Sequence, residues 1–178
     1  MPELDHYLSL NTGPETELKE KGSRFLGQAF AVESEEASHA ALRGVQKRHH
    51  AATHHCWAHR LGCPDRATDR SDDNGEPSGT AGLPIMQAIQ RARVYGALVV
   101  VTRYYGGTKL GTGGLVRAYG DTAKLALDEA PRRDVWLEAQ ITIRPAYADL
   151  GLVEATLSQQ HAVVRRCERD FGDVPIFR

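Results

Sequence analysis

The chain has 178 residues, 41% apolar and 25% charged, a balance that supplies one good core, or a full domain plus a small one, and excludes wholesale disorder. A formal net charge of −1 excludes a protein that coats nucleic acid by bulk electrostatics, so any nucleic-acid role must rest on a local basic patch. Cys56, Cys63 and Cys167 form no CxxC pair, and no apolar leader or run of about 18 apolar residues occurs, which points to a cytoplasmic protein outside the membrane.

After a polar lead, "SRFLGQAFAV" (Ser23 to Val32) half-alternates as a strand, and "SEEASHAALRGVQKRHH" follows as a helix. Ser34 is its expected N-cap, with Glu35 and Glu36 in the first turn and Lys47 and Arg48 in the last, each matching the helix dipole. "THHCWAHRLG" alternates as a second strand, with His54, Cys56, Ala58 and Arg60 on one face and His55, Trp57 and His59 on the other. Residues Cys63 to Gly82 read as a loop. Pro84 suits the first turn of a helix whose apolar stripe is Ile85, Ala88, Ile89 and Ala92, with Gly96 as its expected end. "ALVVVTRYY" has the continuous apolar run of a strand covered on both faces. "GGTKLGTGG" then leads into a helix carried by Leu115, Ala118, Tyr119, Thr122 and Ala126. "APRRD" (Ala130 to Asp134) is the expected domain boundary. Beyond it lie a strand in "VWLEAQITIRP", a helix in "AYADLGLVEATLSQQH", a strand in "AVVRRCERDFG" and a strand start in "VPIFR".

The run "SDDNGEPSGTAGLP" (Ser71 to Pro84) concentrates carboxylates, glycines and prolines. A calcium loop of the EF-hand kind fails, because placing Gly75 at its sixth position puts Arg70 first and Ala81 twelfth. Asp, Asn, Gly, Pro and Ser are foremost turn residues, and the alternative is a carboxylate pair in which Glu76 or Asp73 is a general base. The small residues before Pro84 would leave backbone N–H groups of the next helix open to an anion.

"RYYGGTKLGTGGLVRAY" repeats the arrangement of buried strand, glycine turn and helix start, flanked by Arg103, Lys109 and Arg117. It is neither a Walker A loop nor a dinucleotide-binding fingerprint, so no ATP, NAD or other cofactor is indicated. Tight strand-to-helix packing and phosphate binding both remain open for it, and Tyr104 and Tyr105 are candidates for base stacking or for core packing. Five of the eight histidines, His49, His50, His54, His55 and His59, crowd into eleven residues. Their spacing with Cys56 and Cys63 does not complete a zinc ligand set, so no metal is expected, and a polar histidine rim beside Arg48 and Arg60 is the preferred reading.

Taken together, "HHAATHHCWAHR", the Ser71–Pro84 run and "VVVTRYYGGTKLGTGGLVRAY" resemble the IMPACT family with its bacterial YigZ-like members, over most of residues 18 to 130. The resemblance implies an α+β fold: an N-terminal domain (1–130) like domain 2 of ribosomal protein S5, with helices on one face of a mixed sheet. It also implies a small, truncated ferredoxin-like segment (135–178), similar to a domain near the end of elongation factor G. Eukaryotic members act in translational control by binding a regulator of a stress-responsive kinase. The motif positions fall on His49, His54, Asp72, Asp73, Gly75, Glu76, Pro77, Gly79, Thr80, Gly82 and Pro84 in the first half, and on Arg103, Tyr104, Gly106, Gly107, Leu110, Gly111, Thr112, Gly113, Gly114, Leu115, Ala118 and Tyr119 in the second. Three departures stand out: Asn74 looks inserted between Asp73 and Gly75, Leu83 replaces a commonly basic residue, and the tail lacks a last helix and strand.

The resulting expectation is a cytoplasmic, non-enzymatic binding protein of translation or its regulation. The two glycine loops would bind RNA, the ribosome or a protein partner in translational control, with charge from Arg103, Lys109 and Arg117. An enzyme acting on a small anionic or peptide-like substrate is the alternative. The acids of the first loop are also candidate pairing partners of Arg103 or Lys109.

Overall fold

The run Ala97–Tyr104 is buried from Ala97 through Arg103, as its unbroken β-branched sequence requires, because a strand with no polar alternation needs cover on both faces. In the computed structural model, which describes residues 6–138, 141–159, 169–171 and 175–177, this strand (β6) is the centre of a five-stranded sheet. The chain divides after Leu137 into two compact units.

In the first unit, β2 (Thr16–Glu20), β3 (Ser23–Ala31), β4 (His54–Leu61) and β5 (Thr68–Asp72) join β6 in the order β2-β3-β6-β4-β5. Every neighbouring pair is antiparallel, with Phe25 opposite Arg103 and His54 opposite Arg103 on either side of β6. The expectation of a mixed sheet is therefore corrected.

So is the expectation of helices on one face. Leu42 and Val45 of α1 (Glu35–Arg48) cluster with Phe30, Leu98 and Val100, whereas α2 (Gly82–Ala92) and α3 (Gly111–Glu129) pack Ile85, Ile89, Tyr119 and Ala123 against Phe25, Ala29, Val99 and Val101. The alternation read for β4 holds: Cys56 and Ala58 join the α2/α3 core while Trp57 and Leu61 join the α1 side.

Ser34 caps α1 as expected, its hydroxyl accepting the Ala37 N–H at 3.2 Å. The end of α2 is not Gly96 but Arg93, in the left-handed region at φ 53°; Gly96 instead makes the turn into β6. Residues Cys63 to Gly82 are more ordered than a loop, with a 3-10 turn at Pro64–Arg66 before β5.

β1 (His6–Leu10), which the polar lead concealed, pairs antiparallel with β7 (Arg132–Trp136) and buries Leu10 in the main core. β7 thus belongs to the first unit, although its residues overlap the stretch read as a domain break. The strand expected from Val135 onward ends at Trp136. In the second unit, α4 (Leu150–Gln159) follows a 3-10 turn at Tyr147–Asp149, and β8 (Arg169–Phe171) pairs antiparallel with β9 (Pro175–Phe177). Most of the strand read in "AVVRRCERDFG", with Cys167, lies outside the described residues. No described helix is long and apolar enough to cross a membrane.

Candidate functional site

β5 and β6 both run antiparallel to β4, which lies between them. They leave the sheet at the same end, where β4 begins with His54, and each leads through a glycine turn into a helix. The two motifs singled out in the sequence are therefore neighbours.

The first turn is tied down by its own side chains. Asn74 and Gly75 have φ of 44° and 85°, and the Glu76 N–H donates to the Asp73 carbonyl at 2.9 Å. These are the φ signs of a type I′ turn, for which Asn-Gly is the favoured pair. Asn74 fits this turn rather than disturbing it. Its side-chain oxygen accepts the His55 N–H at 2.8 Å, its carbonyl accepts from His54 Nδ1 at 2.7 Å, and its own N–H donates to Asp72 Oδ1 at 2.6 Å.

The turn aims the Asp73 carboxylate at the start of α2, where it accepts N–H groups from Gly79 at 2.8 Å, Ala81 at 2.9 Å and Gly82 at 2.8 Å. Burial pushes its pKa up, but the three N–H donors outweigh that and hold the carboxyl below its ordinary value. The anion at the start of α2 is thus Asp73 itself. Thr80 is turned inward, its hydroxyl donating to the Pro77 carbonyl at 2.7 Å.

Glu76 joins the two motifs. One of its oxygens accepts Arg103 Nη1 at 2.6 Å and the Tyr119 hydroxyl at 2.8 Å, with His54 Nε2 at 4.0 Å. The ion pair is buried, with side chains only 4% and 6% exposed. Arg103 lies 5.4 Å from the ring centres of both Phe25 and Tyr105 and donates to Ser23 Oγ at 3.4 Å. That same hydroxyl accepts the Gly106 N–H at 3.2 Å. Gly106 is obligatory, since a Cβ there would lie 1.9 Å from the Gly22 carbonyl carbon. Burial pushes the Cys56 thiol up to about 12 and the Tyr119 hydroxyl well above its ordinary value. Neither is a nucleophile at neutral pH.

Three more of the five crowded histidines are engaged one by one, while His50 is exposed. His49 meets Glu15 at 2.7 Å and the Tyr104 hydroxyl at 3.1 Å, His55 Nε2 donates to the His49 carbonyl at 3.1 Å, and His59 Nδ1 meets Ser38 Oγ at 2.8 Å beneath α1. Among the described residues, no group of three His, Cys, Asp or Glu side chains could hold a metal ion.

The second glycine turn differs from the first. Gly107 and Gly111 have φ of 84° and 72° and face open space, and Lys109 is exposed. α3 starts with exposed Gly111, Thr112 and Gly113, no side-chain cap and no acidic residue in its first turn. Arg117 folds back so that its Nη1 would be 3.7 Å from a Cβ on Gly113. Gly114 is half-buried against Leu110. Tyr104 is held by His49 and by Arg24 at 5.6 Å, whereas Tyr105 is 48% exposed. The aromatic available for stacking is therefore Tyr105. Sequence reasoning passed over Ser23 and Gly22, which lie some 80 positions from their partners and carry no local signal; Tyr119 was read as part of the apolar stripe of α3 and as a motif position of the family, with no link to Glu76.

Fold and site together define an antiparallel α+β domain in which a buried Glu–Arg–Tyr cluster fastens two glycine turns at one end of the sheet. Residues 21–127 match the Impact N-terminal domain, and the chain belongs to the IMPACT family. It is 33% identical to IMPACT family member YvyE of Bacillus subtilis, over 91% of this chain and 74% of that one. It is 38% identical to IMPACT family member YigZ of Escherichia coli, over 78% and 69%. A solved structure described as that of a hypothetical protein superimposes with a TM-score of 0.77 at 32% identity, covering 99% of this chain and 85% of the other.

Proposed function

We propose that this chain is a binding protein of translation or its regulation that takes RNA phosphate, free or ribosomal, at the start of α3. The observation that carries the reading is the asymmetry between the two helix starts: α2 is closed by Asp73, whereas α3 presents Gly111, Thr112 and Gly113 uncapped. Open N–H groups at the positive end of a helix favour a phosphate oxygen, and glycine lets it approach closely. Arg117 and Lys109 add charge, and Tyr105 adds an exposed ring beside the turn. Glu76, Asp73 and Asp72 act here as the frame that places the turn, with Arg103 as the buried link. A general-base role for Glu76 or Asp73 has less support, since each carboxylate is already occupied by donors of the chain itself. The translational setting rests on the role of the family's eukaryotic members, and reading the tail as part of a ferredoxin-like domain rests on a helix followed by a paired β8 and β9.

The test is anisotropy of a labelled single-stranded RNA with the full chain at several salt concentrations. Two or three phosphate contacts at a slope of about −0.7 each predict roughly a 10-fold loss of affinity between about 50 and 200 mM salt. Arg117→Ala lowers the slope by about 0.7. Absence of binding at the low salt, or affinity indifferent to salt, overturns the proposal. Recovery of RNase-resistant protein partners alone would favour a docking role for the same turn.

A further inference from the structure

A second surface lies along the helices, and only Arg117 links it to the start of α3. α2 and α3 leave between them a groove of about 480 Å³. Its floor is apolar and small: Pro84, Ala88 and Ala92 along α2, and Val116, Gly120 and Leu127 along α3. Pro84 reaches within 3.8 Å of a Cβ built on Gly120, so the helices are close at that point. Leu83 beside it is 52% exposed, and Val116 39%. From Val116 to Asp128 the α3 wall runs roughly 18 Å, about three helical turns.

The rim carries charge of one predominant sign. Lys124 and Asp128 neutralise one another at 2.5 Å. Arg91, Arg117 and Arg132 also line the groove and have no ion pair among the described residues, against Asp121 as the one remaining acid. We propose that this groove docks an amphipathic helix of a partner protein whose apolar stripe fills the floor and whose acidic flanks meet Arg91, Arg117 and Arg132. Nucleic acid suits it less: no aromatic side chain lines the groove for a base to stack on, and Asp121 faces the approach of phosphates. A second copy of this chain would bring the same surplus of arginines against its own.

The test is a ¹H–¹⁵N titration of the full chain with a synthetic helical peptide of about 16 residues, bearing leucines at three- and four-residue spacing and glutamates beside them. The controls are its scrambled sequence, its glutamate-to-lysine counterpart and a single-stranded RNA. The expected result is shift changes concentrated at Ala88, Ala92, Gly120 and Leu127, with a Kd on the order of 10 μM. Arg91 is exposed, so Arg91→Glu is expected to fold and weaken the peptide at least 10-fold, while Arg91→Lys keeps most of the affinity. No shifts at about 1 mM peptide, equal binding of the scrambled or lysine peptide, or shifts confined to another face overturn the proposal. So do RNA-induced shifts along this groove, which would make nucleic acid its occupant, and a dimer in sedimentation that Arg91→Glu dissolves, which would make it a second copy. RNA binding at Gly111–Gly113 stands or falls separately, by its salt dependence.

Discussion

A single oxygen of Glu76 accepts from β6 and α3 at once, and the charge it holds is buried. Glu76→Gln would leave the Arg103 guanidinium buried without its counter-charge, so we expect a loss of about 3 kcal/mol or more in urea unfolding; a change under about 1 kcal/mol would mean that the pair is solvated in solution. Asp73 is a different kind of acid, since its partners are backbone N–H groups. Asp73→Ala should cost about 2 kcal/mol by orphaning three donors, and added sulfate should restore part of that by occupying the vacated helix start. Protonation acts in the same sense. The folded pKa of Asp73 lies below its unfolded value, so its contribution is full above the unfolded pKa and is lost as pH falls through the folded one. His55 and His59 respond in a higher window. Burial pushes both below their ordinary value, so the unfolded chain takes up protons first. The fold is fully favoured above about pH 6.5 and loses stability as pH falls from there toward the folded pKa values. Urea midpoints should be level from about pH 8 to 7 and then decline toward pH 5, less steeply in His59→Gln; a flat profile through that range would show that these rings are hydrated.

At the scale of elements, α2 and α3 start alike in sequence and differently in chemistry. Gly113 is exposed, its φ is not in the left-handed region, and a side chain there would meet only Arg117. Gly113→Glu should therefore raise stability by about 1 kcal/mol, through helix propensity and charge at the positive helix end, while abolishing RNA binding by placing a carboxylate where the phosphate would sit. Unchanged RNA affinity in a stabilised variant would remove the phosphate site from α3. The sequence foretold that glycine turn and helix, and it foretold β6, because a run of valines has few other fates. It did not foretell β2 and β5, edge strands of which "TDRSD" is exposed throughout and "TELKE" offers the core a single apolar side chain, Leu18, too short a pattern to mark a strand. Nor did it separate the two helix starts. That distinction depends on the Asn74–Gly75 reversal, which carries the Asp73 carboxylate to N–H groups six to nine residues ahead, and local composition does not encode such a reach. The pairing of Glu76 with Arg103 spans 27 positions; the sequence could suggest that the acids have a cationic partner but not that the pair is buried.

At the scale of the whole molecule, where the first unit ends is a physical question. The polar, proline-bearing stretch after Ala130 looks like a linker because β7 lies at the surface, with only Val135 half-buried. Yet β7 supplies the hydrogen-bonding partner of β1 in full register, from His6 opposite Trp136 to Leu10 opposite Arg132. The Asn11 N–H also donates to the Pro131 carbonyl at 2.8 Å. β1 carries Leu10, fully buried in the main core, and its Leu8 carbonyl accepts the Tyr95 N–H at 3.0 Å just before β6 begins. A chain ending at Ala130 would therefore strip β1 of its ladder and loosen Leu10. Each lost backbone hydrogen bond is worth about 1 kcal/mol net and the leucine about 2 kcal/mol when fully exposed, so a deficit of at least about 3 kcal/mol is expected even if β1 stays partly docked. A chain ending at Leu137 keeps every one of these contacts and should unfold in one cooperative transition. Denaturation of the two truncations followed by circular dichroism separates the possibilities: equal midpoints would show that β7 is a passenger on the first unit, and a large gap in favour of the longer chain would show that the unit needs the strand hidden in its apparent linker.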